Sequence, residues 1–335
     1  MEANDMAGGR AAPPSARQPR LIRRIASVPE LGLAVAVVMA FALFTALDRS
    51  MLAPVNLKTI VTRSSFIGFA ALGMSVLMLA GEIDFSAGVA ATFASLVHNY
   101  LGGSGWGETT SLVGGLLAAA AIGWLNSFLV LDVGLPSFLA TLSTYIVISG
   151  VIPFIHGNSF ALGRSPLAGL GSPSPLFGAP WAFILFLGAV AIGEILIRRT
   201  RLGPLLWSTG AHARAAESVG INTAAVKTLC FMFCSVCAAV GGFLVIATMN
   251  VAPAYGEEWQ VWVPAIAIIG GASLLGGSGS LLGALLGTLL LLVVRTGLGA
   301  ANLGNNAQGV VVGGILVAAL IVDGVRRKAK RYRIV

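Results

Sequence analysis

The sequence predicts an all-α, polytopic membrane fold, and three observations carry that reading. Apolar residues make up 56% of the 335-residue chain and charged residues only 10%, less than half of the roughly 25% charged residues of a soluble domain. The mean hydropathy is +0.89, and the apolar residues come in continuous runs, not in the alternation that a membrane β-barrel strand needs. Glycine is abundant, at 43 residues, which suits helices whose backbones approach closely in lipid. Together these exclude a cytosolic enzyme, a secreted disulfide scaffold and a disordered chain.

Residues 1–30 are polar and rich in Pro, Ala and Arg, and read as a cytoplasmic tail. They are too long for the basic start of a cleaved signal peptide, and no small-residue cleavage pattern follows 31–47. A membrane span takes about 20 mostly apolar residues. Candidates occur at 31–47, 65–81, 85–102, 111–131, 136–156, 180–198, 225–249, 262–274, 280–298 and 308–324. That is about ten spans, or about eight if the glycine-interrupted stretches 65–102 and 262–298 are each counted as a pair of half-spans. Residues 31–324 thus form one transmembrane domain, and 325–335 a basic C-terminal tail. With both termini inside, Lys and Arg gather in 10–24, 198–227 and 326–333, leaving Arg49, Lys58, Arg63, Arg164 and Arg295 outside. The bias is about threefold in the direction of the positive-inside rule.

One inside segment, 200–224, breaks a chain of otherwise short connections. Gly203-Pro204 reads as a turn. Ala213–Ser218 reads as a short helix at the inner surface, with Gly220 as the left-handed residue that ends it. Elsewhere no catalytic constellation stands out. There is no Gly-Lys pair for a phosphate-cradling loop and no H-E-x-x-H, and His98, His156 and His212 are scattered. Cys230, Cys234 and Cys237 share one helix face and read as buried apolar thiols, so neither a metal nor a bound cofactor is expected.

Acidic and polar residues within apolar stretches are the candidates for function, since each is costly in hydrocarbon. Glu194 stands four residues before Arg198 and reads as an interfacial ion pair. Glu82 and Asp84 lie in a glycine-flanked break, "GEIDFSAG", where Asp84 is placed to accept from the backbone N–H of 86 or 87. Broken helices of this kind also line transport paths. Ser86 belongs to the same break, and Asn126, Ser143, Thr144 and Tyr145 are polar in apolar spans, so these seven residues form the candidate substrate path. Glu257 and Glu258, in an outer loop over 250–260, are candidates for docking an external soluble partner.

The segments together resemble the membrane-spanning permease subunit of bacterial ATP-binding cassette (ABC) importers for ribose and related monosaccharides. "GEIDFSAG" at 81–88 resembles that family's G-G-I-D-L-S-V-G, "GWLNSFLV" at 123–130 its G-x-L-N-G-x-L-V, and "LPSFLATLST" at 135–144 its P-P-F-I-A-T-L-G-T. "GAHARAAESVGI" at 210–221 resembles its cytoplasmic G-x-N-x-x-A-A-x-x-x-G-I, and the Gly-rich stretch 264–287 resembles its A-I-A-A-x-x-I-G-G-T-S run. Glu82 stands where the family has Gly, and His212 where it has Asn. The resemblance implies a type II importer-like permease in the bacterial inner membrane, two copies forming the pore, and no enzymatic activity in this chain. It implies separate ATPase subunits that consume ATP, a periplasmic solute-binding protein, and no nucleic-acid partner. It also implies that 210–221 is the coupling segment, with Gly210, Arg214, Ala215, Ala216, Glu217, Gly220 and Ile221 at the ATPase contact. Branched-chain amino acid permeases are the nearest alternative, but their turn reads N-F-A-H-G, and Asp84-Phe85-Ser86-Ala87-Gly88 stands closer to the sugar pattern. A secondary transporter that needs no ATPase is the other alternative; it would be expected to carry ionisable groups deep in its spans.

Overall fold

The computed structural model describes residues 29–156, 159–161, 166–175, 178–249, 251–253 and 256–331. Most of the expected N-terminal tail therefore lies outside the described residues. Twelve α-helices make up most of the described residues. They are α1 (Pro29–Leu47), α2 (Pro54–Leu79), α3 (Ala87–Gly103), α4 (Glu108–Leu131), α5 (Ser137–His156), α6 (Trp181–Arg199), α7 (Leu202–Ala211), α8 (Ala213–Ser218), α9 (Thr223–Met249), α10 (Gly256–Ile269), α11 (Leu281–Ala300) and α12 (Asn305–Arg331). A two-stranded antiparallel ribbon, β1 (Ser159–Ala161) with β2 (Val251–Pro253), is a small exception to the all-α expectation.

Each of the ten expected spans falls on a helix, and seven of these helices are long and apolar enough to cross a membrane unaided. The boundaries shift in four places. First, α2 begins at Pro54, well before 65, because Pro at the first helical position is tolerated and the polar side chains of Asn56, Lys58 and Arg63 hide the start. Gly203-Pro204 is not a turn but the first turn of α7, where proline's missing N–H is not needed. The stretch 256–260 is the start of α10, not a loop. Finally, α12 carries the helix on to Arg331, through residues expected to form the basic tail.

α2 and α9 form the centre, packed against each other and against α3, α4 and α11. Small residues permit the approach. A Cβ on Gly73 would lie 2.7 Å from Cys237 Cβ and 2.9 Å from Cys234 Cα. The three cysteines are buried and free on this face, acting as small apolar packing groups. Phe186, Phe231, Met74 and Ile266 fill the interior around the same pair.

The bundle has two distinct ends. The ribbon end holds β1, β2 and the start of α10. The elbow end holds α7, α8, the break between α2 and α3 (residues 80–86) and the break between α10 and α11 (residues 270–280). Glu194 fixes three elements at the elbow end. It pairs with Arg198, as the four-residue spacing predicts, and its other oxygen accepts from the N–H groups of Leu281 (2.8 Å) and Leu282 (3.2 Å), capping α11. Arg198 also reaches Glu30 at the start of α1, at 3.4 Å. The start of α1 and the elbow therefore share one end.

Candidate functional site

The two helix breaks are built alike. α2 ends with Gly81 at φ +88°, its N–H donating to Met78 O, while Glu82 N–H reaches back to Leu77 O. α10 ends with Gly271 at φ +90°, its N–H donating to Ile268 O, while Ala272 N–H reaches Ala267 O. Both are Schellman terminations, and both need glycine because an L side chain is strained at that backbone angle. The breaks are then joined, since Gly277 N–H donates to Leu79 O at 3.0 Å.

α7 lies directly on this joint. A Cβ on Gly210 would stand 2.0 Å from Leu79 O and 2.6 Å from Gly277 N, so the elbow touches both broken segments backbone to backbone. Gly210→Ala is expected to destabilise the permease by about 2 kcal/mol, the usual scale of overpacking. Gly188→Ala, on α6 with nothing within 4 Å of the added Cβ, is the control. Thermal midpoints of the two purified variants check this.

α8 follows after His212 and is held rigidly. Gly220 N–H donates to Glu217 O and Ile221 N–H to Ala216 O, a third Schellman termination, with Gly220 left-handed as the sequence predicts. The Glu217 carboxylate accepts from the Thr223 hydroxyl at the start of α9. Of the expected coupling residues, Arg214 and Ala215 are exposed, Ile221 is half-buried, and Ala216 is only 3% exposed. Ala216 therefore packs inward against its own chain, unlike Arg214 and Ala215. Val219, at the end of the helix, is 76% exposed and stands outside the residues expected at that contact.

The break at 80–86 carries two polar contacts of different kinds. Lys227 Nζ, in the first turns of α9, meets Glu82 Oε1 at 2.6 Å, with both side chains largely buried. Asp84 is fully buried. Its Oδ1 accepts from Ser86 N–H (2.7 Å), Ser86 Oγ–H (2.6 Å) and Asn126 Nδ2–H (3.4 Å), and Asn126 also donates to Ser86 Oγ at 2.7 Å. The expected acceptance from residue 86 is present, and the Asn126 amide bonds across helices to the break. Phe85 N–H donates to Thr141 Oγ1 on α5 at 3.0 Å, so the break is tied to α4, α5 and α9.

The other expected path residues lie on α5. Thr144 is buried and bonds back to Ala140 O within α5, Ser143 is exposed, and Tyr145 is half-buried. Thr141, one turn before Thr144, and Lys227 are the polar partners that sequence reading missed. Thr141 shares the helix face of Thr144, a signal that was readable. Lys227 was legible only as one more inside charge. At the ribbon end Glu258 forms a two-pronged ion pair with Arg295, at 2.9 and 3.0 Å, and Arg295 lies 4.5 Å from the centre of the Trp262 ring. The Glu257 side chain lies outside the described residues.

Long apolar helices around two joined helix breaks, with a rigid elbow seated on the joint, define a multi-pass transport permease. The chain belongs to the family described as branched-chain amino acid transport system / permease component, whose model matches residues 56–320. It is 30% identical over 255 residues to a probable ABC transporter permease protein of Sinorhizobium fredii, covering 75% of this chain and 76% of that one. It is 27% identical over 291 residues to an autoinducer 2 import system permease protein of Yersinia enterocolitica, covering 86% and 81%. It is also 27% identical over 305 residues to a ribose import permease protein of Bacillus subtilis, covering 88% and 91%. No solved structure matches it significantly.

Proposed function

We propose that this permease carries a monosaccharide or a related small polyhydroxylated solute inward across the bacterial inner membrane, as one of two copies forming the path. Separate cytoplasmic ATPase subunits power it and a periplasmic binding protein delivers the solute. The observation that carries the substrate class is the near full-length likeness to ribose and autoinducer 2 import permeases. The D-F-S-A-G turn at 84–88 agrees with it.

In this reading the elbow end faces the cytoplasm, together with both termini. ATP-driven closure of the ATPase pair moves α8, and α7 passes the motion to Leu79, Gly81 and Gly277 through direct backbone contact. The buried Glu82–Lys227 pair ties the start of α9 to the same break. The two breaks move together because the Gly277–Leu79 hydrogen bond joins them. Glu82, Asp84, Ser86 and Asn126 then belong to the moving seam at the inner mouth of the path. Glu258 serves the receptor through a patch organised by Arg295.

The test is uptake into proteoliposomes holding the permease with its ATPase and receptor. ATP-dependent accumulation of a radiolabelled pentose, hexose or polyol is expected, uncompeted by leucine. Accumulation by the permease alone under a sodium or proton gradient would overturn the ATPase requirement. Uptake of leucine in place of sugars would move the substrate to the branched-chain class named in the family description.

A further inference from the structure

A cavity of about 810 Å³ opens on the flank of the bundle near the elbow, and transport as described makes no use of it. Its walls come from α2, α4, α6, α7, α9 and the start of α11, and every lining residue is apolar. Ile192, Leu202, Leu229 and Phe233 are lining residues that are also exposed, so the cavity is an open groove and not a sealed void. A sugar is excluded as its occupant, because hydroxyls buried there would find no partner. Its volume is that of pockets that enclose drug-sized ligands. Apolar and open toward the bilayer, it has the chemistry of a lipid chain site.

The border of the groove supplies the charge. The elbow between α6 and α7 runs directly from the lining residue Ile197 to the lining residue Leu202. It contains Arg198, Arg199 and Arg201. Arg198 is neutralised by Glu194 and Glu30. Arg199 and Arg201 are exposed and have no acidic partner among the described residues. Basic groups bordering a cleft between membrane helices attract anionic lipid headgroups. We propose that this groove binds one acyl chain of an anionic phospholipid, whose phosphate pairs with Arg199 and Arg201. Because α7 and α9 flank the coupling helix α8, the bound lipid braces the elbow from its membrane side. The proposal does not depend on which solute is carried.

The full chain in phosphatidylcholine nanodiscs, doped with phosphatidylglycerol bearing a photoreactive acyl chain, tests it. Labelling is expected on the α6, α7 and α9 walls, competed by unlabelled phosphatidylglycerol and not by phosphatidylcholine. Arg199→Gln with Arg201→Gln is expected to lower groove labelling about thirtyfold, as two lost charges at an anionic headgroup would. These exposed positions leave the core intact, so labelling elsewhere on the chain is unchanged. Ala189→Trp, which fills the groove, is expected to abolish labelling there with the arginines in place. Equal labelling by a photoreactive phosphatidylcholine, or labelling indifferent to the two arginines, would reduce the groove to ordinary bilayer contact and overturn the proposal. So would a disulfide formed between two copies through Ile192→Cys, which would make the groove an interface.

Discussion

Val219→Glu is expected to cut ATP hydrolysis stimulated by the loaded receptor about tenfold or more, while the folded yield of the permease is unchanged. Val219 is 76% exposed, so within this chain its side chain contributes little to the fold. It is nevertheless mounted rigidly, because the Schellman bonds at Gly220 and the Glu217–Thr223 contact fix the end of α8. A rigid, exposed valine is suited to fill an apolar groove on a partner, where full burial contributes about 1.5–3 kcal/mol. A carboxylate there loses that gain and adds the cost of burying an unpaired charge. The effect on assembly is therefore about tenfold at the least. Ala216→Arg is the contrasting variant. Ala216 is 3% exposed, so the arginine must displace the permease's own packing, and folded yield falls before any ATPase is added. Unchanged stimulation in Val219→Glu would remove the end of α8 from the coupling contact.

That contrast shows where sequence reading reaches its limit. The helices were legible because apolar run length is set by the bilayer, and α8 was legible because Gly220 marks its end. Which side of α8 faces inward was not legible, since a six-residue helix of mostly small residues carries no apolar stripe to read. The Asp84 turn was readable because its contact to residue 86 is local. Its tie to Asn126 spans 42 residues, that of Phe85 to Thr141 spans 56, and that of Glu82 to Lys227 spans 145. No local pattern encodes such pairings. The same holds for Gly210, a glycine in an ordinary helix whose necessity appears only when Leu79 O and Gly277 N close on it. α7 was misread because Gly203-Pro204 is a turn signal in isolation, while its helical use depends on α7 being packed against α2, α6 and α9.

Asp84→Ala is expected to destabilise the permease by about 3 kcal/mol, read as a lower thermal midpoint and a lower folded yield. A cap exchanged at an exposed helix start would cost only about 1 kcal/mol. Asp84 is fully buried, and it is the acceptor for Ser86 N–H, Ser86 Oγ–H and the Asn126 amide. Removing it strands donors where replacement water has little access, and each buried donor left without its acceptor costs about 1–3 kcal/mol. Asn126→Leu should cost less, about 1–2 kcal/mol, because Ser86 still donates to Asp84 and only one side chain must be re-satisfied. The order of the two variants is the sharper test. If Asp84 holds the break against α4, its loss is the larger and the double variant costs less than the sum, since both act on one hydrogen-bond network. If Asp84→Ala keeps its midpoint while the permease changes which solute it carries, the carboxylate faces the solute, and the break is held by Thr141 and Lys227 instead.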